Sequence, residues 1–149
     1  IFIKFINDKG LPLLNELLLH YAKGPIKTIL ELLSEKENYP VGVYCTAGKD
    51  RTGLIVYLIL AALGIDFDAI KEDYVLSDSA YADMNQKKAF VGALEQNNLD
   101  PEKFLIAPPY VIDDLRQHID LKYGSVENYL DSIGFDETKR EKLKKNLLM

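Results

Sequence analysis

The chain has 149 residues, of which 48% are hydrophobic and 28% charged, so it fits one domain with a sizeable core. Its formal net charge of −5 argues against nucleic acid as the main partner, because phosphate backbones reward clustered Lys and Arg. The single cysteine excludes an intramolecular disulfide framework. The longest apolar run is about half of a membrane span, and no secretory signal is visible at the start.

The first part of the chain predicts helices and then a strand. Residues 1–6 fit either a strand or the start of a helix, because six residues do not reveal which period they follow. Residues 11–22 place leucines at helical spacing, and a Lys-Gly-Pro sequence ends that helix. The proline then opens a second helix over residues 25–33. After a polar break, residues 41–44 predict a central β-strand.

The remainder of the chain predicts further helices. A nearly all-apolar helix covers residues 52–63, as expected for a buried central helix, and Asp66 caps the next one. Residues 84–94 suggest one amphipathic helix. The C-terminal third predicts three helices, the second of them capped by Ser125, over residues 108–123, 126–133 and 137–148.

A tight loop joins the predicted strand to the central helix, and its sequence is Cys45-Thr46-Ala47-Gly48-Lys49-Asp50-Arg51. This arrangement suits a thiolate that attacks a phosphoryl group held by backbone N–H donors. A free thiol has a pKa of roughly 8.5, and a helix N-terminus with nearby cations lowers that pKa by several units. Arg51 would supply a planar, bidentate fork for two phosphate oxygens.

The stretch from Cys45 to Gly53 resembles the signature loop of cysteine-dependent protein tyrosine phosphatases, Cys-x5-Arg followed by Thr or Ser. Its Ala-Gly-Lys-Asp-Arg-Thr-Gly sequence resembles an atypical bacterial-type subgroup of tyrosine and lipid phosphatases. Two further stretches resemble segments of that subgroup, Asp73-Tyr74-Val75-Leu76-Ser77 and Tyr123-Gly124-Ser125-Val126-Glu127-Asn128-Tyr129-Leu130. The likeness runs from about residue 40 to the end of the chain.

The resemblance implies an α/β fold with a phosphatase-type central sheet flanked by helices. This chain reads as mostly helical, with one convincing strand before the loop, so we expect the N-terminal part of the sheet to be missing. Residues 1–149 would then form a single phosphatase-like catalytic domain that is incomplete at its N-terminus. Within it, residues 77–107 would form either a mobile helical lid over the site or a helical surface insertion.

The resemblance also implies phosphomonoester hydrolysis through a phosphocysteine intermediate, without a metal or other cofactor. The substrates would be phosphotyrosine proteins, with phosphoinositides as a further class. Cys45 is the implied nucleophile, Asp50 the candidate general acid, and Thr52 the donor that eases departure of the sulfur. The implied phosphate-binding residues are Thr46, Ala47, Gly48, Lys49, Asp50 and Arg51.

Each role has a structural alternative. Lys49 beside Arg51 would favour highly charged head groups, but it could equally form a salt bridge or remain solvated. Asp50 could shape the loop through an ion pair with Lys49, and Thr52 could cap the helix. Most tyrosine phosphatases place their acid on a separate upstream loop, where this chain offers Asp8 before its next acidic residue.

One residue departs from the family pattern, because Tyr44 stands where a His usually precedes the nucleophile. A phenol donates a hydrogen bond but carries no positive charge. This departure keeps open a second function, a catalytically weak pseudophosphatase that binds phosphorylated ligands. A third interpretation, a helical interaction module, would show no phosphate binding.

Other polar residues give weaker signals. His20 and His118 have no metal-ligand spacing, so no metal is implied. A basic cluster could contact an anionic membrane peripherally or complement the dipole of the last helix, and its members are Lys139, Arg140, Lys142, Lys144 and Lys145. A free reactive thiol fits a reducing compartment, so we expect a cytoplasmic location and leave secretion open.

Overall fold

The computed structural model describes residues 2–78 and 84–148, and helices form most of this part of the chain. A short 3-10 helix covers Lys36–Asn38. The α-helices are α1 Phe2–Tyr21, α2 Lys23–Leu33, α3 Asp50–Ala62, α4 Phe67–Val75, α5 Met84–Gln96, α6 Pro101–Phe104, α7 Tyr110–Tyr123, α8 Val126–Ser132 and α9 Glu137–Leu147. None of the described helices is long and apolar enough to cross a bilayer.

The strand expected at residues 41–44 is not formed in the described part of the chain. A β-strand needs a neighbouring strand that takes up its N–H and C=O groups, and residues 2–78 and 84–148 supply none. Val41 remains 39% exposed and Tyr44 88% exposed. The regular secondary structure of the described residues is therefore helical. The central sheet implied by the resemblance is absent from these residues.

Helix α1 resolves the ambiguity at the start of the chain, since residues 2–6 are helical rather than extended. The helix bends at Gly10, whose φ of 62° and ψ of −146° lie outside the helical region. A residue without a Cβ adopts this backbone at little cost. Pro12 follows in the first turn after the bend, where its missing N–H leaves no hydrogen bond unmade. Helix α1 is thus two helical segments joined at a glycine.

Helix α3 lies at the centre of the core. Its apolar side chains are buried on most sides, with Leu58 fully inaccessible to solvent. The helix contacts α1, α4 and α8, while α1 also contacts α6 and α7. Because α3 is held by several neighbours, the loop that enters its N-terminus has a fixed base.

Two predicted helix caps are confirmed. The side chain of Asp66 accepts a hydrogen bond from the N–H of Asp68 at 3.0 Å, and Ser125 accepts one from the N–H of Asn128 at 3.2 Å. The sequence did not identify two further caps, Asp100 on α6 and Asp136 on α9. Helix α3 begins at residue 50 rather than at residue 52, so Thr52 is not its cap.

The region predicted as a lid or insertion, residues 77–107, contains α5 and α6, while its residues 79–83 lie outside the described residues. Three hydrogen bonds join this region to Asn7 of α1. The side chain of Asn7 donates to the carbonyl of Asn98 at 2.9 Å and accepts from the N–H of Asp100 at 3.0 Å. The carbonyl of Asn7 accepts from Lys103 Nζ at 2.7 Å. The turn between α5 and α6 is thereby tied to α1.

The basic cluster at the C-terminus is largely occupied by ion pairs. Arg140 is 8% exposed and also donates to the carbonyl of Phe135 at 2.9 Å. The ion pairs join Lys139 Nζ to Glu31 at 2.7 Å, Arg140 Nη1 to Asp131 at 2.5 Å, Lys142 Nζ to Glu35 at 2.5 Å and Lys144 Nζ to Glu141 at 2.8 Å. Three of these pairs join α9 to other parts of the chain, and the pair between Lys144 and Glu141 lies within α9.

Candidate active site

The loop of residues 45–51 runs directly into the first turn of α3. The first N–H groups of an α-helix have no partner within the helix, and they are available to an anion. Backbone N–H groups of Ala47, Gly48 and Thr52 donate hydrogen bonds to the Cys45 sulfur. A half-buried sulfur therefore lies among N–H donors at the positive end of a helix.

The surroundings of Cys45 favour its ionised form. Partial burial opposes ionisation, but the contact with the Thr52 hydroxyl and the hydrogen bonds from the backbone N–H groups outweigh it. The pKa of Cys45 is consequently lowered to about 7. At neutral pH about half of the sulfur is a thiolate, which is the nucleophilic form of cysteine.

Thr52 acts on the Cys45 sulfur. Its Oγ1 is buried, and no standard hydrogen bond satisfies it among the described residues. The hydroxyl nevertheless acts on Cys45 by lowering its pKa. The contact between Thr52 Oγ1 and the Cys45 sulfur therefore falls outside the geometry of a standard hydrogen bond, but the hydroxyl still stabilises the thiolate.

Arg51 lies at the surface of the first turn of α3. Its Nη2 donates a hydrogen bond to Thr46 Oγ1 at 3.0 Å, which holds the guanidinium across the loop. Arg51 lines the same cavity as Cys45. The guanidinium of Arg51 is thus accessible to a bound phosphate.

Asp50 and Lys49 form an ion pair inside the loop. Lys49 Nζ lies 2.5 Å from Asp50 Oδ1, and the Lys49 side chain is fully buried. Burial raises the pKa of Asp50, against the opposing charges of Lys49 and Arg51. A raised pKa favours the protonated carboxyl, the form that donates a proton to a leaving group.

The position of Lys49 differs from the expectation that it would meet substrate. Its ammonium is inaccessible to solvent and already paired with Asp50. A second cation at the surface beside Arg51 is therefore not provided by Lys49. The structural alternative for this residue, a salt bridge that shapes the loop, describes the observed contact.

Tyr44 occupies the position of the family's histidine, but its side chain does not help to order the loop. Its side chain is 88% exposed, so it extends into solvent rather than toward the sulfur. The lowered pKa of Cys45 arises from Thr52 and the backbone N–H groups without a contribution from Tyr44. The loop is organised for an ionised sulfur despite the departure at residue 44.

Two glycines shape the loop and its helix. Gly48 has a φ of 68°, in the left-handed region where a side chain would add strain. Gly53 faces Tyr74 of α4, and a Cβ built on Gly53 would lie 2.9 Å from the Tyr74 ring. The Tyr74 ring therefore packs directly against the backbone of α3 one residue after Thr52. The sequence contained both residues, but no local signal in it indicated this contact.

A cavity of about 350 Å³ opens beside the loop, and sequence reasoning did not identify it. One end is formed by residues of the loop and of the first turn of α3. The lining residues are Cys45, Thr46, Ala47, Asp50 and Arg51 at that end, with Ile6, Leu13, Leu14, Leu17, Phe90, Leu94, Leu99 and Phe104 around the rest. Cys45 therefore lines a cavity whose walls beyond the loop are apolar.

Other candidate residues lie away from this cavity. Asp8 lines a different groove, between α1 and α7, together with Glu16 and His118. In that groove His118 Nδ1 lies 3.6 Å from Glu16 Oε1. His20 is exposed and packs edge-on against Tyr21. The described residues hold no cluster of His, Cys, Asp and Glu able to bind a metal ion.

The chain is similar in sequence to several known phosphatases. PtpB of Mycobacterium tuberculosis, a triple specificity protein phosphatase, is 32% identical over 127 residues, which cover 73% of this chain and 44% of PtpB. A tyrosine-protein phosphatase of Nostoc commune is 27% identical over 139 residues, which cover 87% of this chain and 46% of that protein. A putative tyrosine-protein phosphatase of Cupriavidus necator is 39% identical over 88 residues, covering 58% and 32% respectively.

The chain spans less than half the length of these curated relatives. A family model described as the tyrosine phosphatase family matches residues 7–149, which is nearly the whole chain. The chain therefore belongs to the tyrosine phosphatase family.

Proposed function

We propose that this chain hydrolyses phosphomonoesters through a phosphocysteine intermediate on Cys45. The observation that carries the proposal is a sulfur with a pKa of about 7, held among backbone N–H donors at the N-terminus of α3. Arg51 lies at the same cavity and supplies the cation for a bound phosphate. Membership of the tyrosine phosphatase family supports the same reaction.

In the first step the Cys45 thiolate attacks phosphorus, so an S–P bond forms while the P–O bond to the leaving group breaks. Asp50 gives its proton to the leaving oxygen, which departs as a neutral alcohol or phenol. The loop N–H groups and Arg51 hold the equatorial oxygens as charge moves in the transition state. The raised pKa of Asp50 supports this assignment because it keeps the acid protonated to higher pH.

In the second step water attacks the phosphocysteine. Asp50, now a carboxylate, takes a proton from the water, and the S–P bond breaks to release phosphate. The Thr52 hydroxyl donates to the departing sulfur, so the thiolate is regenerated without a protonated intermediate. Its lack of a standard partner elsewhere in the described residues supports this role.

Phosphotyrosine protein is the substrate class that we infer first. The relatives, among them a tyrosine-protein phosphatase and a triple specificity protein phosphatase, support it. Phosphoinositides remain a second class in this proposal. Their support is weaker, because Lys49, which would have met a second phosphate, is buried against Asp50.

The competing function is a pseudophosphatase that binds phosphorylated ligands without turning them over. It rests on Tyr44, which cannot supply the charge of the family's histidine. The pKa of Cys45 favours the enzyme over this alternative, because the sulfur ionises without help from residue 44. If the alkylation of Cys45 became half-maximal only near or above pH 8.5, the result would instead favour the pseudophosphatase.

The proposal extends to the whole domain. Residues 41–44, exposed at Val41 and Tyr44, would form a strand of an α/β sheet. Residues 77–107 would form either a helical lid or a surface insertion. A cytoplasmic location would suit an ionised, reactive thiol. Peripheral membrane contact through the basic cluster has little support, since four of its cations are paired with carboxylates.

The experiment measures hydrolysis of two substrates, para-nitrophenyl phosphate and phenyl phosphate, by the parent chain, Cys45→Ser and Asp50→Asn. We expect turnover in the parent and its loss in Cys45→Ser. Asp50→Asn should lose more activity on phenyl phosphate than on the nitro ester, because the nitrophenolate leaves without protonation. Vanadate binding without turnover would favour the pseudophosphatase, and absence of both would overturn the proposal.

A further inference from the structure

The cavity beside the loop is larger than one aromatic ring requires. Its volume is about 350 Å³, whereas an engineered apolar cavity of about 150 Å³ holds benzene. A phosphate bound over Cys45 would direct its ester group into this space, because the loop and Arg51 form one end of the same cavity. Although the phosphate takes up part of this volume, the chamber still has room for a group larger than a tyrosyl ring.

The walls of the cavity are apolar beyond the loop. Helix α1 contributes Leu14 and Leu17, which are only partly buried because they border this space. Leu94 of α5 and Phe104 of α6 close the opposite side. An ester group that enters here meets aliphatic and aromatic carbon, with the nearest polar groups confined to the phosphate end.

The charges at the cavity suit one phosphate. Arg51 is the cation among its described lining residues, and Asp50 is the acid. Lys49 lies behind Asp50, fully buried, and contributes no charge to the cavity surface. A head group with a second phosphate would have to place that charge against leucine and phenylalanine side chains, which is costly.

We propose that this cavity selects phosphomonoesters in which a single phosphate carries an apolar group larger than a tyrosyl ring. The inference rests on the proposed function, since the phosphate must lie over Cys45. Leu17 and its neighbours are then specificity-determining residues. Each methylene-sized group that is buried from water raises the binding constant roughly fourfold. A second fused ring is therefore expected to raise kcat/KM about tenfold or more.

The test compares esters with similarly acidic leaving groups, phenyl phosphate and 2-naphthyl phosphate, and a second pair, ethyl and decyl phosphate. The aryl pair and the alkyl pair distinguish which apolar group the cavity prefers. We expect the larger member of at least one pair to be favoured about tenfold, and inositol bisphosphate to be a poor substrate. A ratio near one in both pairs would overturn the inference while leaving Cys45-dependent turnover, and hence the proposed function, intact.

A cavity-filling variant gives the second test. Leu17→Phe should lower the naphthyl-to-phenyl ratio toward one, because it takes up space in the chamber. Leu121→Phe makes the same change at an 81% exposed position on α7 and should leave the ratio as in the parent. Binding of the two aryl esters to Cys45→Ser, measured by calorimetry, reports on the cavity without turnover. Equal affinities there would contradict the inference even if the chain proved inactive.

Discussion

Lys49 Nζ lies 2.5 Å from Asp50 Oδ1, and the lysine is completely buried while the aspartate keeps 15% of its side chain exposed. The two adjacent residues thus have opposite roles in the loop. Lys49 contributes an internal charge, whereas Asp50 lines the cavity that Cys45 also lines. The proposed general acid is therefore held by a cation that substrate does not reach.

Asp50→Asn should impair both turnover and stability. Loss of a general acid costs about 10²–10⁴ in rate, and an unpaired buried Lys49 costs about 3–5 kcal/mol in the free energy of unfolding. Asp68→Asn, at an 82% exposed carboxylate, is the matched control. Steady-state kinetics on phenyl phosphate and urea unfolding measure the two effects. Equal behaviour of the two variants would contradict the assigned role.

A double variant separates the two effects. Lys49→Met with Asp50→Asn should recover much of the lost stability, because no unpaired charge remains, but it should stay slow. Lys49→Met alone removes a charge that lowers the pKa of Asp50, so that pKa should rise further. The alkaline limb of the pH–rate profile, where Asp50 loses its proton, should then move to higher pH. A shift to lower pH would contradict the pairing.

Cys45 should titrate near neutrality. Its pKa is lowered to about 7, so the thiolate is present above that pH and is lost as pH falls through it. Iodoacetamide should therefore react half-maximally near pH 7. Thr52→Val removes one stabilising donor and should raise the midpoint, whereas Thr28→Val, on the exposed side of α2, should leave it unchanged. An unshifted midpoint in Thr52→Val would exclude a contribution from that hydroxyl.

Gly53→Ala tests the contact between α3 and α4. A Cβ on Gly53 meets the Tyr74 ring at 2.9 Å, whereas a Cβ on Gly92 of α5 meets nothing within 4 Å. Both substitutions gain helix propensity, so their difference isolates overpacking. Gly53→Ala should be less stable than Gly92→Ala by about 1–3 kcal/mol in chemical unfolding. Equal stabilities would mean that the Tyr74 ring moves aside without cost.

Asn7→Ala should loosen the wall of the cavity, because the Asn7 side chain makes two of the three hydrogen bonds between α1 and the α5–α6 turn. We expect faster amide hydrogen exchange in α5 and α6, with little change in α3. Asn97→Ala removes a bond within the end of α5 and serves as control. Unchanged exchange in Asn7→Ala would show that apolar packing alone holds the turn.

The sequence predicted the phosphatase family of the chain, but it did not predict the three-dimensional surroundings of the loop. Cys45, Asp50 and Arg51 are informative because their spacing is local, and the helix that follows positions them in any compact fold. The burial of Lys49 could not be predicted, since it depends on how the loop packs on the rest of the domain. The cavity likewise joins residues from α1, α5 and α6 that are distant in sequence.

The predicted strand at residues 41–44 shows the same limit. Its composition suits a strand, but a strand forms only beside another, and the described residues contain no partner for it. Caps were predictable where one polar residue precedes an apolar helix, as at Asp66 and Ser125. The contact between Gly53 and Tyr74 had no local signature, because it depends on the packing of two helices.

The most direct test of the central claim is to trap the covalent intermediate. Asp50→Asn, mixed with para-nitrophenyl phosphate and quenched in acid, should accumulate a phosphorylated enzyme, because its second step lacks the base. Peptide mass mapping should locate one phosphoryl group on the peptide that contains Cys45, with none in Cys45→Ser. Turnover that persists in Cys45→Ser, or a phosphoryl group found on another residue, would contradict the account.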